Sequence, residues 1–342
     1  MIEIAIIAVV MAFAFTFTNG FQDASAIAAT FIASRSASPK VGIIFIAGMS
    51  LLGAVLGGSA VAFTISGLLL LTSVDQTLLV LATGLLAATI WNLITWKFGF
   101  PSSSTHALIG GLIGSGIAAA GTTSIYWGLD DLVNPPYELT GLVKILAFFV
   151  ISILIGFMGS FLMHKITGVL LRNAKRTINS SIVFCNWCAA AVMAFSNGAN
   201  DSQKQLGIIA LALFSAGLSA TGEVPLWARI ICAILLATGT MSGGWRIMNT
   251  VGRRIFKIEP LHSFDSQFFS SSSIAVSTLA GAPVSSTQVI TMSVIGVGSA
   301  VNPRKVQWSV GKHILIAMMI TIPVTMVISA ILYWGISPFI GV

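Results

Sequence analysis

The polar and charged side chains able to do chemistry fall in four short stretches. Ser196-Asn197-Gly198-Ala199-Asn200-Asp201-Ser202-Gln203-Lys204 lies mid-chain with apolar sequence on both sides. Thr18-Asn19-Gly20-Phe21-Gln22-Asp23-Ala24-Ser25 lies near the N-terminus in the same setting. Asn19 and Asn197, Gly20 and Gly198, and Asp23 and Asp201 are each 178 positions apart. The other two stretches, Pro101-Ser102-Ser103-Ser104-Thr105-His106 and Pro283-Val284-Ser285-Ser286-Thr287-Gln288, are 182 apart. A carboxylate among carboxamides offers a hard cation an all-oxygen ligand set. A Pro ahead of three hydroxyl residues reads as a helix start. Free N–H groups, the positive end of the helix dipole and nearby hydroxyls make such a start an oxyanion site. Two facing starts hold one tetrahedral anion without any Arg. Anion and cation side by side each lower the electrostatic cost of binding the other.

These stretches need elements that can carry them through an apolar environment. The chain has 342 residues, is 56% hydrophobic and only 8% charged, with a mean hydropathy of +0.96. A soluble domain carries about 25% charged residues, so the composition predicts an all-α polytopic membrane protein. A charge at mid-bilayer costs about 3 kcal/mol on insertion scales, so Asp23, Asp201 and Lys204 imply a polar cavity. The net charge of +7 sits in short clusters between apolar runs, as the positive-inside rule expects, and does not point to nucleic acid. Met1-Ile2-Glu3-Ile4 lacks the basic region of a signal peptide, so the first helix is expected to stay. Three Cys exclude a disulfide scaffold. The Cys185–Cys188 C-x-x-C has no second pair and reads as packing rather than redox or zinc chemistry. No G-x-x-x-x-G-K-[ST] supports ATP-driven transport, and no nucleophile–base or metal-triad spacing supports an enzyme.

The apolar runs predict helices over 1–17 and 182–196, each broken at its Asn-Gly and resuming to about Ala33 and Leu218. Further spans are expected over 41–66, up to Lys97, up to Ala120, 142–163, up to Met241, 264–282 and 313–335. The segment from Trp245 to Lys257, with Arg246, Arg253 and Arg254, reads as an amphipathic interfacial helix. Motifs repeating in order at nearly one offset indicate a duplicated unit. The first transmembrane repeat is placed at 1–164, a basic cytoplasmic linker at 165–181 and the second repeat at 182–342. Charge orients the copies. The loop at 34–40 is basic, whereas its counterpart near 216–225 carries Glu223 and no basic residue. The 121–141 loop carries Asp130, Asp131 and Glu138, whereas its counterpart at 302–312 is basic. Opposite character means opposite sides. The expected fold is therefore two inverted-topology repeats with broken or re-entrant helices, an arrangement typical of secondary transporters, with both termini outside.

Bland readings compete at several positions. Ser and Thr are common between membrane helices, so one P-S-S-S-T says little, and its recurrence in register is what gives it weight. Asp23 and Asp201 could form a structural hydrogen-bonded pair. Lys204 reads either as snorkelling or paired with Asp201, or as touching substrate. His106 is Gln288 in the other copy, which favours polar packing over an obligatory proton relay. Glu223 and Arg229 read as interfacial.

The same residues carry a resemblance. Asn197 to Gly207 resembles the second signature of the inorganic phosphate transporter (PiT) family, and Asn19 to Asp23 resembles the first. The two Pro-hydroxyl stretches resemble the family's two hairpin sequences, and Gly243-Gly244-Trp245-Arg246 resembles a further stretch. The resemblance covers nearly the whole chain. It implies a plasma-membrane symporter for inorganic phosphate, homodimeric in the lipid bilayer, with Na+ or H+ as coupling ion and no other cofactor. It implies phosphate contacts from Gln22, Ser103, Ser104, Thr105, Gln203, Lys204, Ser285, Ser286 and Thr287. It implies coupling-cation contacts from Asn19, Asp23, Asn197, Asn200 and Asp201. The first signature usually reads N-D or H-D with an Asn three residues on; here Gln22 precedes Asp23 and Ala26 replaces that Asn. Sulfate or metal–phosphate symport stays open as the alternative. An ion channel is a more distant one, because two inverted half-sites suit alternating access.

Overall fold

In hydrocarbon the backbone must satisfy its own polar groups, so apolar runs of this length wind into helices. The computed structural model describes residues 2–100, 102–135, 137–242 and 255–341. Its first part holds α1 (Ile2–Ala33), α2 (Pro39–Leu56), α3 (Ala60–Ser66), α4 (Val74–Phe98), α5 (Ser104–Ala120), the short α6 (Leu129–Val133) and α7 (Gly141–Leu170). Then come α8 (Asn179–Ser215), α9 (Leu226–Ser242), α10 (Pro260–Leu279), α11 (Ser286–Val301) and α12 (Trp308–Ile340). Among the described residues, α1, α2, α4, α7, α8 and α12 are long and apolar enough to cross a bilayer. Helices α5, α9 and α11 are apolar but shorter. The protein is a multi-pass, all-helical membrane protein.

The expected breaks at Asn19-Gly20 and Asn197-Gly198 are absent: α1 and α8 run through both without interruption. The glycines instead serve helix crossings. A Cβ at Gly20 would meet the Leu236 carbonyl of α9, with Gly239 Cα 3.0 Å away. A Cβ at Gly198 would meet the Ser50 carbonyl of α2, and one at Gly53 the Phe195 carbonyl of α8. Backbone thus lies on backbone at two crossings, the close approach that small residues permit in membranes. The span expected over 41–66 is also interrupted. Helix α2 ends at Leu56 before Gly57 and Gly58, and α3 follows. Arg229 donates to the carbonyls of Gly57 and Gly58 and to Ser59 Oγ. It is a clamp on that break rather than a free interfacial charge. Of the expected interfacial helix over 245–257, only Ile255, Phe256 and Lys257 are described, and they are not helical. The Gly243-Gly244-Trp245-Arg246 stretch lies outside the described residues. Cys232 is buried, but Cys185 and Cys188 face outward on α8 and do not pack inside.

Two apolar cores are separated by a polar layer. Ala5 to Phe15 of α1 and Leu206 to Ala212 of α8 belong to one core. Ala26 to Phe31 of α1 and Ala190 to Ala194 of α8 belong to the other. The two helices therefore run in opposite directions between the same two cores, with Asn19–Asp23 and Asn197–Lys204 between them. Helix α5 leads from this layer into the first core through Ala107–Ile113, and α11 leads into the second through Val289–Ile295. Packing partners come in matched pairs: α5 on α12 and α11 on α7, α1 on α4 and α8 on α10, α1 on α9 and α8 on α2.

Candidate functional site

The starts of α5 and α11 meet in the polar layer, and each is capped in the same way. Ser103 Oγ accepts from the His106 N–H at 3.1 Å, and Ser285 Oγ from the Gln288 N–H at 3.4 Å. These are N-cap bonds. Each satisfies one first-turn donor and leaves others outside the intrahelical ladder. Ser103 and Ser285 thus shape the two starts, while the next two residues of each reach into the layer. His106 is spent locally, its Nδ1 2.6 Å from Ser103 Oγ and its ring stacked 4.1 Å from that of Phe149. Polar packing is what the structure gives it.

Asp23 joins both starts. Its Oδ1 accepts from Thr287 Oγ1 at 2.6 Å, and its Oδ2 accepts from Ser104 Oγ. One carboxylate on α1 thus holds a hydroxyl from α5 and one from α11. Asp201 does not pair with Asp23; its Oδ1 accepts from Lys204 Nζ at 2.6 Å. The ammonium also donates to Thr105 Oγ1 at 2.6 Å and to the Val284 carbonyl at 3.1 Å, and Thr105 Oγ1 donates to the same carbonyl at 2.9 Å. The Lys204 and Asp201 side chains have no solvent exposure, so Lys204 does not snorkel. Three strong partners are what an ammonium requires once its water is removed.

The remaining expected residues divide. Asn200 spends both ends of its carboxamide on the end of α10 and the turn before α11: Nδ2 donates to Thr278 Oγ1 at 2.9 Å and to the Ala282 carbonyl at 3.2 Å, and Oδ1 accepts from Val284 N at 3.3 Å. Gln22, one residue before Asp23 as Asn200 is before Asp201, donates to Thr95 Oγ1 of α4 at 3.0 Å. Gln203 Oε1 accepts from Val61 N at 2.8 Å and so faces α3. Ser286 Oγ is buried with no hydrogen-bond partner among the described residues. So are Asn19 Oδ1, Asn197 Oδ1 and Asp201 Oδ2. Buried acceptors without donors are uncommon, and carboxamide oxygens together with a carboxylate are the ligand types a hard cation selects. The residues fit a cation on that count, and the paired starts with their hydroxyls fit an oxyanion.

Sequence reasoning missed several members of the layer. Thr18 accepts from Asn92 Nδ2 at 3.3 Å. Ser102 accepts from the Trp91 indole at 3.0 Å and lies 3.1 Å from Thr321 Oγ1. The Val284 carbonyl, bonded by Lys204 and Thr105, is a backbone group that no side-chain pattern reports. Asn92 was the one readable signal, a carboxamide inside the apolar run of α4.

Comparison with known proteins agrees with this architecture. The sequence model of the phosphate transporter family matches residues 19–329. A relative from Bacillus subtilis, called "Probable low-affinity inorganic phosphate transporter", is 34% identical over 334 residues, spanning 97% of this chain and 96% of its own. A relative of the same name from Mycobacterium bovis is 37% identical over 340 residues, spanning 98% of this chain and 78% of its own. A solved structure titled "The sodium-dependent phosphate transporter" superposes with a TM-score of 0.87 over 98% of this chain and 99% of that one, at 23% identity.

Proposed function

The chain belongs to the phosphate transporter family, and from that premise we propose that it carries inorganic phosphate across the membrane in symport with a sodium ion or a proton. The observation that carries this reading is the junction at Asp23, where one carboxylate holds the starts of both α5 and α11. Phosphate sits between those starts, taking hydrogen bonds from first-turn N–H groups and Ser286, and from Ser104, Thr105 and Thr287 once their hydroxyls turn away from Asp23 and the Val284 carbonyl. Lys204 supplies a positive charge from the Asp201 side, and Ser103, Ser285, Gln22, Asn200 and Gln203 hold the frame. The coupling cation sits at Asp23 with Asn19 and Asn197, whose side-chain oxygens are buried without donors among the described residues. The cation offsets the charge of the anion beside it, which couples the two bindings.

Alternating access follows from two inverted repeats, 1–164 and 182–342, joined by the cytoplasmic linker, with both termini outside. The antiparallel course of α1 and α8 and the matched packing pairs support this arrangement. Reconstitution tests the function. Labelled phosphate should accumulate in proteoliposomes under an inward sodium or proton gradient and be indifferent to a tenfold excess of sulfate. Uptake that ignores both gradients, or that sulfate abolishes, would replace this reading with an uncoupled or sulfate-carrying one.

A further inference from the structure

One framework treats its two carboxylates differently. By position in the repeats Asp23 matches Asp201, Ser104 matches Ser286, Thr105 matches Thr287 and Ala26 matches Lys204. At Asp23 the carboxylate meets the threonine of the opposite helix start directly, with Thr287 donating at 2.6 Å. At Asp201 the corresponding threonine is Thr105, and Lys204 Nζ stands between the two, 2.6 Å from each. The Val284 carbonyl at 3.1 Å completes its surroundings. A carboxylate, a hydroxyl and a backbone carbonyl are the ligand types a hard cation selects. On α1 the matching residue is Ala26, fully buried and with only a methyl group to offer.

We infer that Lys204 is a tethered cation: its ammonium fills the half-site at Asp201, and the mobile coupling cation binds on the Asp23 side alone. This rests on the reading of the chain as a cation-coupled transporter. Asp201 and Lys204 are three residues apart on one unbroken helix, so they are neighbours on one face and travel together. The ammonium therefore stays with its carboxylate through any movement of α8 as a body. A free ion would have to be collected from one side and released on the other in each cycle. Lys204 makes that positive charge permanent, so this chain needs one mobile cation fewer than a site with two exchangeable positions. Truncating Lys204 would free Asp201 Oδ1 and one acceptor position each on Thr105 Oγ1 and the Val284 carbonyl, which stay bonded to each other. Asp201 Oδ2, already without a donor among the described residues, would join them around the vacated position.

The test counts sodium ions. Equilibrium binding of radioactive sodium to the purified full-length chain is measured at pH 8.5 without phosphate. The protein is compared with Lys204→Ala, Asp201→Asn/Lys204→Ala and Asp23→Asn. Lys204→Ala should bind one more sodium than the unmodified protein, and the added ion should vanish in the double variant. Asp23→Asn should lose the unmodified protein's own ion. An unchanged count in Lys204→Ala, or an added ion that persists without Asp201, overturns the inference. If Lys204→Ala unfolds in sodium-free buffer, sodium chloride but not choline chloride should restore its thermal transition, and should fail to do so in the double variant. No rescue by sodium overturns the inference equally. Sodium counting needs neither phosphate nor transport. Failed phosphate uptake by the unmodified protein would therefore refute the proposed function and leave this result standing.

Discussion

Thr105 and Thr287 occupy matching places and hold different partners. Thr287 donates a hydrogen bond to a carboxylate, whereas Thr105 accepts from an ammonium and donates to a carbonyl. If both flank one anion, Thr287→Val and Thr105→Val should each raise the half-saturating phosphate concentration. A hydrogen bond to a charged group is worth about 1.5–3 kcal/mol, or roughly 10- to 150-fold in affinity. The pair of substitutions should depart from additivity, because groups sharing one ligand couple. Additive effects that appear in melting temperature and spare phosphate binding would assign both hydroxyls to the frame. Asp23→Asn should remove gradient-driven uptake while the protein still folds, since the amide can still accept from Thr287 but carries no charge for a cation. Normal uptake with unchanged ion dependence would take the cation away from Asp23. Most of these side chains were legible in the sequence, because a charge or a repeated hydroxyl cluster in an apolar run is costly unless it meets a polar partner. Thr95 and Thr278 were not, since a lone Thr in a membrane helix is also an ordinary packing residue.

At the scale of elements, the same Asn-Gly dipeptides were legible as special but not as what they are. Gly in a helix interior costs about 1 kcal/mol against Ala, which argues for a break, and sequence alone does not show the second helix that makes the glycine necessary. Gly198→Ala should lower the melting temperature through overpacking worth about 1–3 kcal/mol, because its Cβ would meet the Ser50 backbone. Gly48→Ala, on α2 with nothing within 4 Å of its new Cβ, is the control and should not. A second element-level prediction concerns the loop before α7. Asp131 there accepts from Thr140 at 2.6 Å and from Tyr126. These bonds, that from Thr140 first, hold its carboxyl below the ordinary 3.8. A depressed folded-state value means that the stabilisation is complete above the unfolded value and is lost as pH falls through the folded one. Melting temperatures of the protein and of Asp131→Asn should therefore differ at pH 6 and converge as the pH falls through the lowered folded-state value. A difference that persists in acid would show that the loop does not depend on the ionised carboxylate.

Across the whole molecule, the order of helices and their opposed directions were readable because loop charge reports sidedness and motif spacing reports duplication. The two-core division was not, because every span is apolar and nothing in composition says which half of a helix joins which core. The proposed inverted arrangement makes a labelling prediction. In a parent with Cys185, Cys188 and Cys232 replaced, cysteines at Asp130 and Ser219 should react with an impermeant thiol reagent from outside. Cysteines at Ser38, Lys175 and Arg304 should react only after permeabilisation. Labelling of Ser38 and Asp130 from one side would remove the inverted topology.

The bare backbone contacts at Gly20–Gly239, Gly198–Ser50 and Gly53–Phe195 have a mechanical consequence. Where side chains interdigitate, one helix must unlock from another before it can turn. Where main chain rests on main chain, it can roll, and the crossing is a fulcrum. Helix α1 rises about 1.5 Å per residue, so its arm from Gly20 to Ala33 is ~20 Å long, and a tilt of ~10° carries the far end ~3.5 Å. Asp23, only three residues from the fulcrum, moves by less than ~1 Å in the same tilt. Asp201 stands at the same short distance from Gly198. A lever supported there would swing its ends wide and keep its carboxylate nearly still, so the alternating access proposed above would turn about a site that hardly moves.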